Sequence, residues 1–411
     1  MTTAAPTGRE TTIEGVAITI SRDVQKSFAR LISQLPGRFA RPSQLQHCLQ
    51  IDAKLAWQVF KIAKAENPLE AVRYLPSVVS IKRLSAAAKG KGVSKEVLQA
   101  VDDAMAQFDA AVREHADGRD SFTSMVASLQ NEASSEAVDL QLRRAAYRVN
   151  CQIWGAQIGV FFGQTAVRRR AGGQIDASSV GLKADFPRLR ADARPIVYGR
   201  SERNAKGSLV QPKHTPIDPE AFAKYGIPLL PQFCSQPVPV FGDAEVKDGW
   251  RIQSPRGEQM GRLGSIDLAV AISYRDTELV SLSDGRKVFF SSLTFSVPTE
   301  MAILEFLIHR PSLGQIKPEV RVIPEFGVNF VAELETPHPQ MPNFCVPQSL
   351  GSYPTAPPIS EIRDYGEMTS CVLDKQSWDA SEFDVIRATI MHPVLHSTMV
   401  MWFEVPTAPL G

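Results

Sequence analysis

The sequence predicts an α+β multidomain protein: a helical N-terminal part, a proline-rich basic connector, and a β-rich C-terminal domain built as an antiparallel sandwich or barrel. Three observations predict it. Apolar residues recur at helical spacing as far as residue 170, prolines and arginines crowd the stretch that follows, and beyond Val238 short runs of Val, Ile, Phe and Thr replace the helical period. At 411 residues the chain exceeds the size at which one core stops growing, so several domains are expected. The boundaries read as a disordered tail at 1–20, a helical domain at 21–170, a connector at 171–236 and a β-rich domain at 237–411.

Each element has a local reason. Val24, Phe28, Leu31, Ile32 and Leu35 form one helical stripe, with Ser21 or Asp23 as N-cap and Pro36-Gly37 as the stop. A short helix fits 44–49 with Ser43 as cap, and a third fits 53–65 with Asp52 as cap and Asn67-Pro68 as terminator. Residues 94–116 put Val97, Leu98, Val101, Met105, Phe108 and Val112 on one face, between a Ser94 cap and Gly118. From Ser134 to Arg170 the Ala-, Leu-, Gln- and Arg-rich sequence reads as one long helix, or two joined near Gly155.

From Ala171 onward nine prolines between Pro187 and Pro239 interrupt long regular elements. Residues 168–213 hold eleven Lys or Arg against four Asp or Glu. Strand-like runs follow at 266–274, 287–297, 301–309, 319–323, 327–334 and 399–405, and Ser283-Asp284-Gly285-Arg286 reads as a hairpin turn because Asp-Gly supplies positive φ.

Composition excludes more than it identifies. Forty-five basic against 44 acidic residues leave a net charge of +1, so overall charge names no partner. Five scattered cysteines without a CxxC pair fit reduced thiols, and 1–9 lack an apolar leader core, so a cytoplasmic location is expected. The longest uncharged stretch, 149–167, carries Asn150, Gln152, Gln157 and Gln164; it reads as a buried helix and no membrane partner is expected.

The segment from Leu45 to Lys61 (LQHCLQIDAKLAWQVFK) resembles the helix-turn-helix of bacterial transcription regulators, winged-helix types included. The resemblance implies that Leu45, Leu49, Ile51, Ala56 and Phe60 are buried and that Asp52 caps a recognition helix. It further implies that Lys54, Gln58 and Lys61 face duplex DNA, lysines on phosphate or guanine and the amide on adenine, with Trp57 at the helix edge. The family has a small residue where Gln46 stands and Gly where Gln50 stands. A non-Gly residue in left-handed geometry costs about 1 kcal/mol.

Gly155, Gly159 and Gly163 recur every fourth residue. On a helix they form a close-packing stripe, for a contact within the chain or for a seam between copies in a homo-oligomer. Arg168, Arg169 and Arg170, with Arg188, Arg190, Arg194, Arg200 and Arg203 beyond them, form a basic cluster suited to phosphate. His392 and His396 have i, i+4 spacing but lack the Glu of a zinc helix; His309 and His338 have no ligand partner at recognisable spacing, so no metal, cofactor or catalytic set is assigned. The leading expectation is a DNA-binding regulator whose β-rich domain senses a ligand or mediates assembly. The alternative is a non-catalytic scaffold whose two parts mediate protein–protein assembly.

Overall fold

A computed structural model describes residues 13–129, 132–195, 198–201, 214–242, 245–247, 250–256, 259–277, 279–324, 335 and 345–406. The chain forms two compact units, 1–141 and 142–411. The boundary therefore lies at 141/142, not at 170/171. The reason is at Gly155: the helix of this region stops at Trp154, Gly155 turns left-handed (φ 66°) with its N–H bonded to Cys151 O at 2.9 Å, and a strand begins at Ile158. The uncharged stretch 149–167 is thus half helix and half strand, not a buried helix.

The first unit is helical: α1 (Ile13–Gln34), α2 (Pro42–Leu49), α3 (Ala53–Lys64), α4 (Pro68–Ala71), α5 (Val78–Lys89), α6 (Lys95–His115) and α7 (Arg119–Ser128), followed by α8 (Glu132–Trp154) across the boundary. The tail expected at 1–20 does not hold for 13–20, since α1 already runs from Ile13 and buries Ala17 in the same stripe as Val24 and Phe28; residues 1–12 lie outside the described ones. Pro42 opens α2 at N1, where its missing N–H costs nothing, so Arg41 and not Ser43 is the N-cap residue. Neither α5 nor α7 was expected. Ser77 caps α5, and Ile81, Leu84, Phe122 and Val126 join the same core as Phe28 and Phe108.

The second unit begins with β1 (Ile158–Arg169) and β2 (Ile175–Phe186), continues with β3 (His214–Pro216), α9 (Pro219–Tyr225), β4 (Ile266–Thr277), β5 (Val280–Ser281), β6 (Lys287–Thr294), β7 (Thr299–His309), α10 (Arg310–Leu313), β8 (Glu319–Pro324) and β9 (Gln348–Ser352), and ends with α11 (Tyr365–Lys375), β10 (Phe383–Met391) and β11 (Ser397–Glu404). Seven strands form one sheet in the order β9-β10-β7-β1-β2-β4-β3, and four form another, β5-β6-β11-β8. The sheet is mixed and not purely antiparallel, because β1 and β7 run parallel. A parallel pair needs a long crossover, and everything from β2 to β6 lies inside it. Two smaller pairings join 198–201, 245–247 and 250–253 into one ribbon and 240–241 with 255–256 into another.

The 171–236 stretch is no connector. It supplies β2, paired on both sides, and β3, and β2 escaped the sequence pattern because Ala177, Ser178, Ser179 and Gly181 stand where β-branched residues were sought. The Asp284-Gly285 turn lies between β5 and β6 with Gly285 at φ 85°. The strand expected at 327–334 lies outside the described residues.

Alternation divides the large sheet into two faces. Val167, Phe306 and Ala388 meet Phe289, Val322 and Met401 of the four-stranded sheet in one core, where the rings of Phe289, Phe306 and Phe403 lie 5.3–5.9 Å apart. On the opposite face Phe162, Leu182 and Leu307 pack with Met368, Val372 and Leu373 of α11.

In that second face lies a carboxylate with no exposed surface, Glu305 of β7. Its Oε1 accepts from Arg387 Nε on β10, and its Oε2 accepts from Gln164 Nε2 on β1 and Tyr365 Oη on α11, each at 3.0 Å. Gln164, Glu305 and Arg387 are direct neighbours across three strands. Burial raises the Glu305 carboxyl above its ordinary range, against the pull of Arg387 and the donors. Arg387→Met should cost about 3–5 kcal/mol, because it strands a desolvated charge. A raised carboxyl binds a proton that the unfolded chain releases near its ordinary value, so the variant's deficit should widen as pH rises from 5 towards 8. Calorimetric melting across that range, with Glu305→Gln added to relieve the variant, checks both statements.

Candidate nucleic-acid interface

The turn between α2 and α3 is built from residues that bury one side and expose the other. Leu45 and Leu49 of α2, Ile51 of the turn and Leu55, Ala56, Val59 and Ile62 of α3 are buried, while Phe60 is half-buried at the edge of the same core. Gln50 adopts φ 53°, ψ 41°, a left-handed conformation that ends α2 without a glycine. Asp52 Oδ1 accepts the Leu55 N–H at 2.9 Å and caps α3. Its other oxygen lies 3.4 Å from Arg83 of α5, an exposed pair of little energetic weight.

Because α3 packs on α1, α2 and α4 with its apolar side, its other side faces outward. Lys54, Lys61 and Lys64 are exposed, and Gln58 is half-buried between the first two. Spacings of four and three place Lys54, Gln58 and Lys61 on one stripe. Trp57 is 43% exposed, with its ring edge-on to Tyr74 at 5.2 Å. Charge within the unit is uneven in a way that the whole chain conceals. Residues 13–92, which contain α3, hold thirteen Lys or Arg against five Asp or Glu, whereas 93–129 hold three against seven. The basic surplus therefore belongs to the part of the unit that carries the α3 stripe.

The other expected residues do not assemble into a phosphate site. Arg168 is exposed at the end of β1, but Arg169 donates to Pro406 O at 2.7 Å, and Arg170 is held by Asp176 at 2.8 Å and Asp276 at 3.0 Å. Burial pushes the Asp176 carboxyl up, and hydrogen bonds from Arg170, the Asp276 N–H and Arg275 outweigh it, holding it below the usual carboxylate range. Alternation along a strand, with carboxylates on the neighbouring strands, dismantles what looked like a continuous basic run. Arg190 is paired with Asp192 at 2.6 Å. Arg203 and the Arg200 side chain lie outside the described residues.

Nor do the three glycines form a helical stripe. Gly155 is the turn, and Gly159 and Gly163 lie on one face of β1, where an added Cβ would meet Asp185 Cβ at 2.8 Å and Leu293 Cδ2 at 2.8 Å respectively. Their close approaches are to neighbours within the second unit. His392 and His396 sit at the two ends of the β10–β11 loop with φ of 49° and 59°, their rings tilted against those of Tyr147 and Trp154 at 5.0 and 5.3 Å, and not on a helix. His309 is satisfied by Ser312 at 2.8 Å and Glu382 at 2.9 Å, while His338 lies outside the described residues. Among the described residues no three His, Cys, Asp or Glu groups converge as for a metal ion, and no helix is long and apolar enough to cross a membrane. Sequence reading missed the Glu305 network, although a glutamate inside the apolar run Ala302–Ile308 was its visible signal.

No protein-family model and no curated protein matches the chain. Geometry and charge carry the functional reading.

The strained turn yields a direct check. Gln50→Gly should raise stability by about 1 kcal/mol by relieving the left-handed penalty, and Asp52→Ala should lower it by about 1 kcal/mol through loss of the cap. Denaturant midpoints of the two variants against wild type measure both.

Proposed function

We propose that the protein is a DNA-binding transcriptional regulator of the cytoplasm, with α3 as its recognition helix and the second unit as a ligand-sensing or assembly domain. The observation that carries this reading is the outward stripe of α3: Lys54, Gln58 and Lys61, flanked by Trp57 and Lys64, on a capped helix in the basic part of the unit. Lysines contribute phosphate contacts, and a half-exposed amide can read adenine in the major groove. The two sheets sharing one core are read as a sandwich with one parallel pair at the centre of the larger layer.

Titration of a fluorescent duplex at two salt concentrations tests the reading. Binding should weaken steeply with salt, and Lys54→Ala/Lys61→Ala should reduce the logarithmic salt slope by about two units, one for each lost phosphate contact, with melting unchanged. No binding at low salt, or identical binding by the double variant, refutes it.

One observation favours assembly as a second reading. On α8, Leu142, Val149 and Ile153 are 40%, 56% and 61% exposed, an apolar stripe at spacings of seven and four. If copies associate there, Val149→Glu/Ile153→Glu should lower the solution mass to that of a monomer.

A further inference from the structure

The four-stranded sheet leaves part of the large sheet's face uncovered, and strand register decides what lies there. β1 and β2 set Gly163 opposite Gly181 and Thr165 opposite Ser179, and β4 continues the two rows with Val270 and Ile272. Two facing glycines remove a layer of side chains from interior strands, where glycine weakens the strand and marks the close approach of something else. At Gly163 that something is the protein itself, since an added Cβ would lie 2.8 Å from Leu293 Cδ2 of β6. At Gly181 it is not: an added Cβ would meet its nearest neighbour, Val270 Cγ2 of the same sheet, at an ordinary 3.5 Å. Here a cleft of about 610 Å³ opens between the sheets, within the roughly 300–1,000 Å³ of small-molecule sites.

The cleft has apolar walls and one polar spot. Phe161, Val270 and Ile272 line it and are only half-buried, so they hold apolar surface for a ligand to cover. The polar spot is a chain of hydroxyls: Thr165 Oγ1 lies 2.9 Å from both Ser179 Oγ and Ser291 Oγ of β6. Three hydroxyls carry three hydrogens and the two contacts use two, so one O–H is left to donate whichever way the chain runs. Ser179 and Ser291, at its ends, are half-buried and line the cleft. None of the described lining residues is a carboxylate, and their one cation, Lys183, stands 4.8 Å from the centre of the Phe161 ring and already has a partner within the protein. An ionised ligand would lose its hydration here without an unused opposite charge to replace it.

The geometry points to this cleft as the binding site of a small uncharged aromatic ligand bearing a hydrogen-bond acceptor, as in an aryl ketone. Its flat ring lies over the glycine backbone at Gly181 against Phe161 and Val270. Its acceptor takes the spare O–H of the Thr165, Ser179 and Ser291 chain, two residues or about 7 Å further along the strands. The inference rests on the ligand-sensing half of the proposed function, for which it names the ligand class, and is independent of DNA binding.

Calorimetric titration of the full chain with 2-acetylnaphthalene, and with 2-naphthoate as its charged counterpart of similar shape, tests it. Wild type should bind the ketone saturably and the carboxylate at least roughly tenfold more weakly. Thr165→Val/Ser179→Ala/Ser291→Ala exchanges the whole hydroxyl chain for apolar groups of similar shape and leaves no member of it unpaired, so melting should stay near wild type. Ketone affinity in that variant should fall about fivefold, the worth of one neutral hydrogen bond. Gly181→Leu, which fills the cleft from a backbone that accepts a side chain, should abolish ketone binding while the chain still melts cooperatively. No saturable heat with the ketone up to about 1 mM, naphthoate bound as tightly as the ketone, or wild-type ketone affinity in either variant overturns the proposal. Ketone binding without duplex binding keeps this site and removes the regulator; duplex binding without ketone binding does the reverse.

Discussion

Glu305 has no contact with water, and the second unit is arranged around the need to satisfy it. A buried carboxylate without partners costs several kcal/mol, so donors must arrive from every element that encloses it. Here they come from β1, β10 and α11, and Arg387 is itself tied back to the Pro357 carbonyl at 2.9 Å. A one-residue slip of β1 or β10 would turn Gln164 or Arg387 to the opposite face and leave the charge stranded. The network thus adds to the apolar pattern a polar reason for one register, and Tyr365 and Thr369 extend that reason to the placement of α11.

The two faces of the large sheet follow from the same alternation but meet different partners. One is sealed by α11 and surrounding loops. The other is shared with a smaller sheet, whose four strands pack over β7, β10 and part of β1 through aromatic contacts such as Phe306 with Phe403. Seven strands facing four leave an edge uncovered, and small residues at 163, 179 and 181 keep that edge concave.

The helical unit resolves a different conflict. Its turn takes a left-handed residue without a glycine, and the local penalty is carried by the burial of Leu45, Leu49, Ile51 and Leu55 around it. What that packing exposes is the polar side of α3. The same solvent-facing geometry that leaves Lys54 and Lys61 available also leaves Trp57 partly uncovered.

Local signals sufficed wherever neighbours in sequence decide the outcome. The Asp52 cap, the stripes of α1, α3 and α6, the turn at Gly285 and the shift from helix to strand are set by contacts within a few residues, and periodicity displays them. Tertiary structure alone decided what periodicity cannot carry. Whether 156–169 is helix or strand depended on a parallel partner more than a hundred residues away, and β2, whose small residues hide its pattern, became an interior strand only by pairing with β1 and β4. Charges on one stretch of chain were likewise separated by strand alternation, as Arg168 and Arg169 were, or gathered from distant segments, as Gln164, Glu305 and Arg387 were. A side chain's surroundings are fixed by the register of strands that meet only after folding, and a linear pattern contains no term for them.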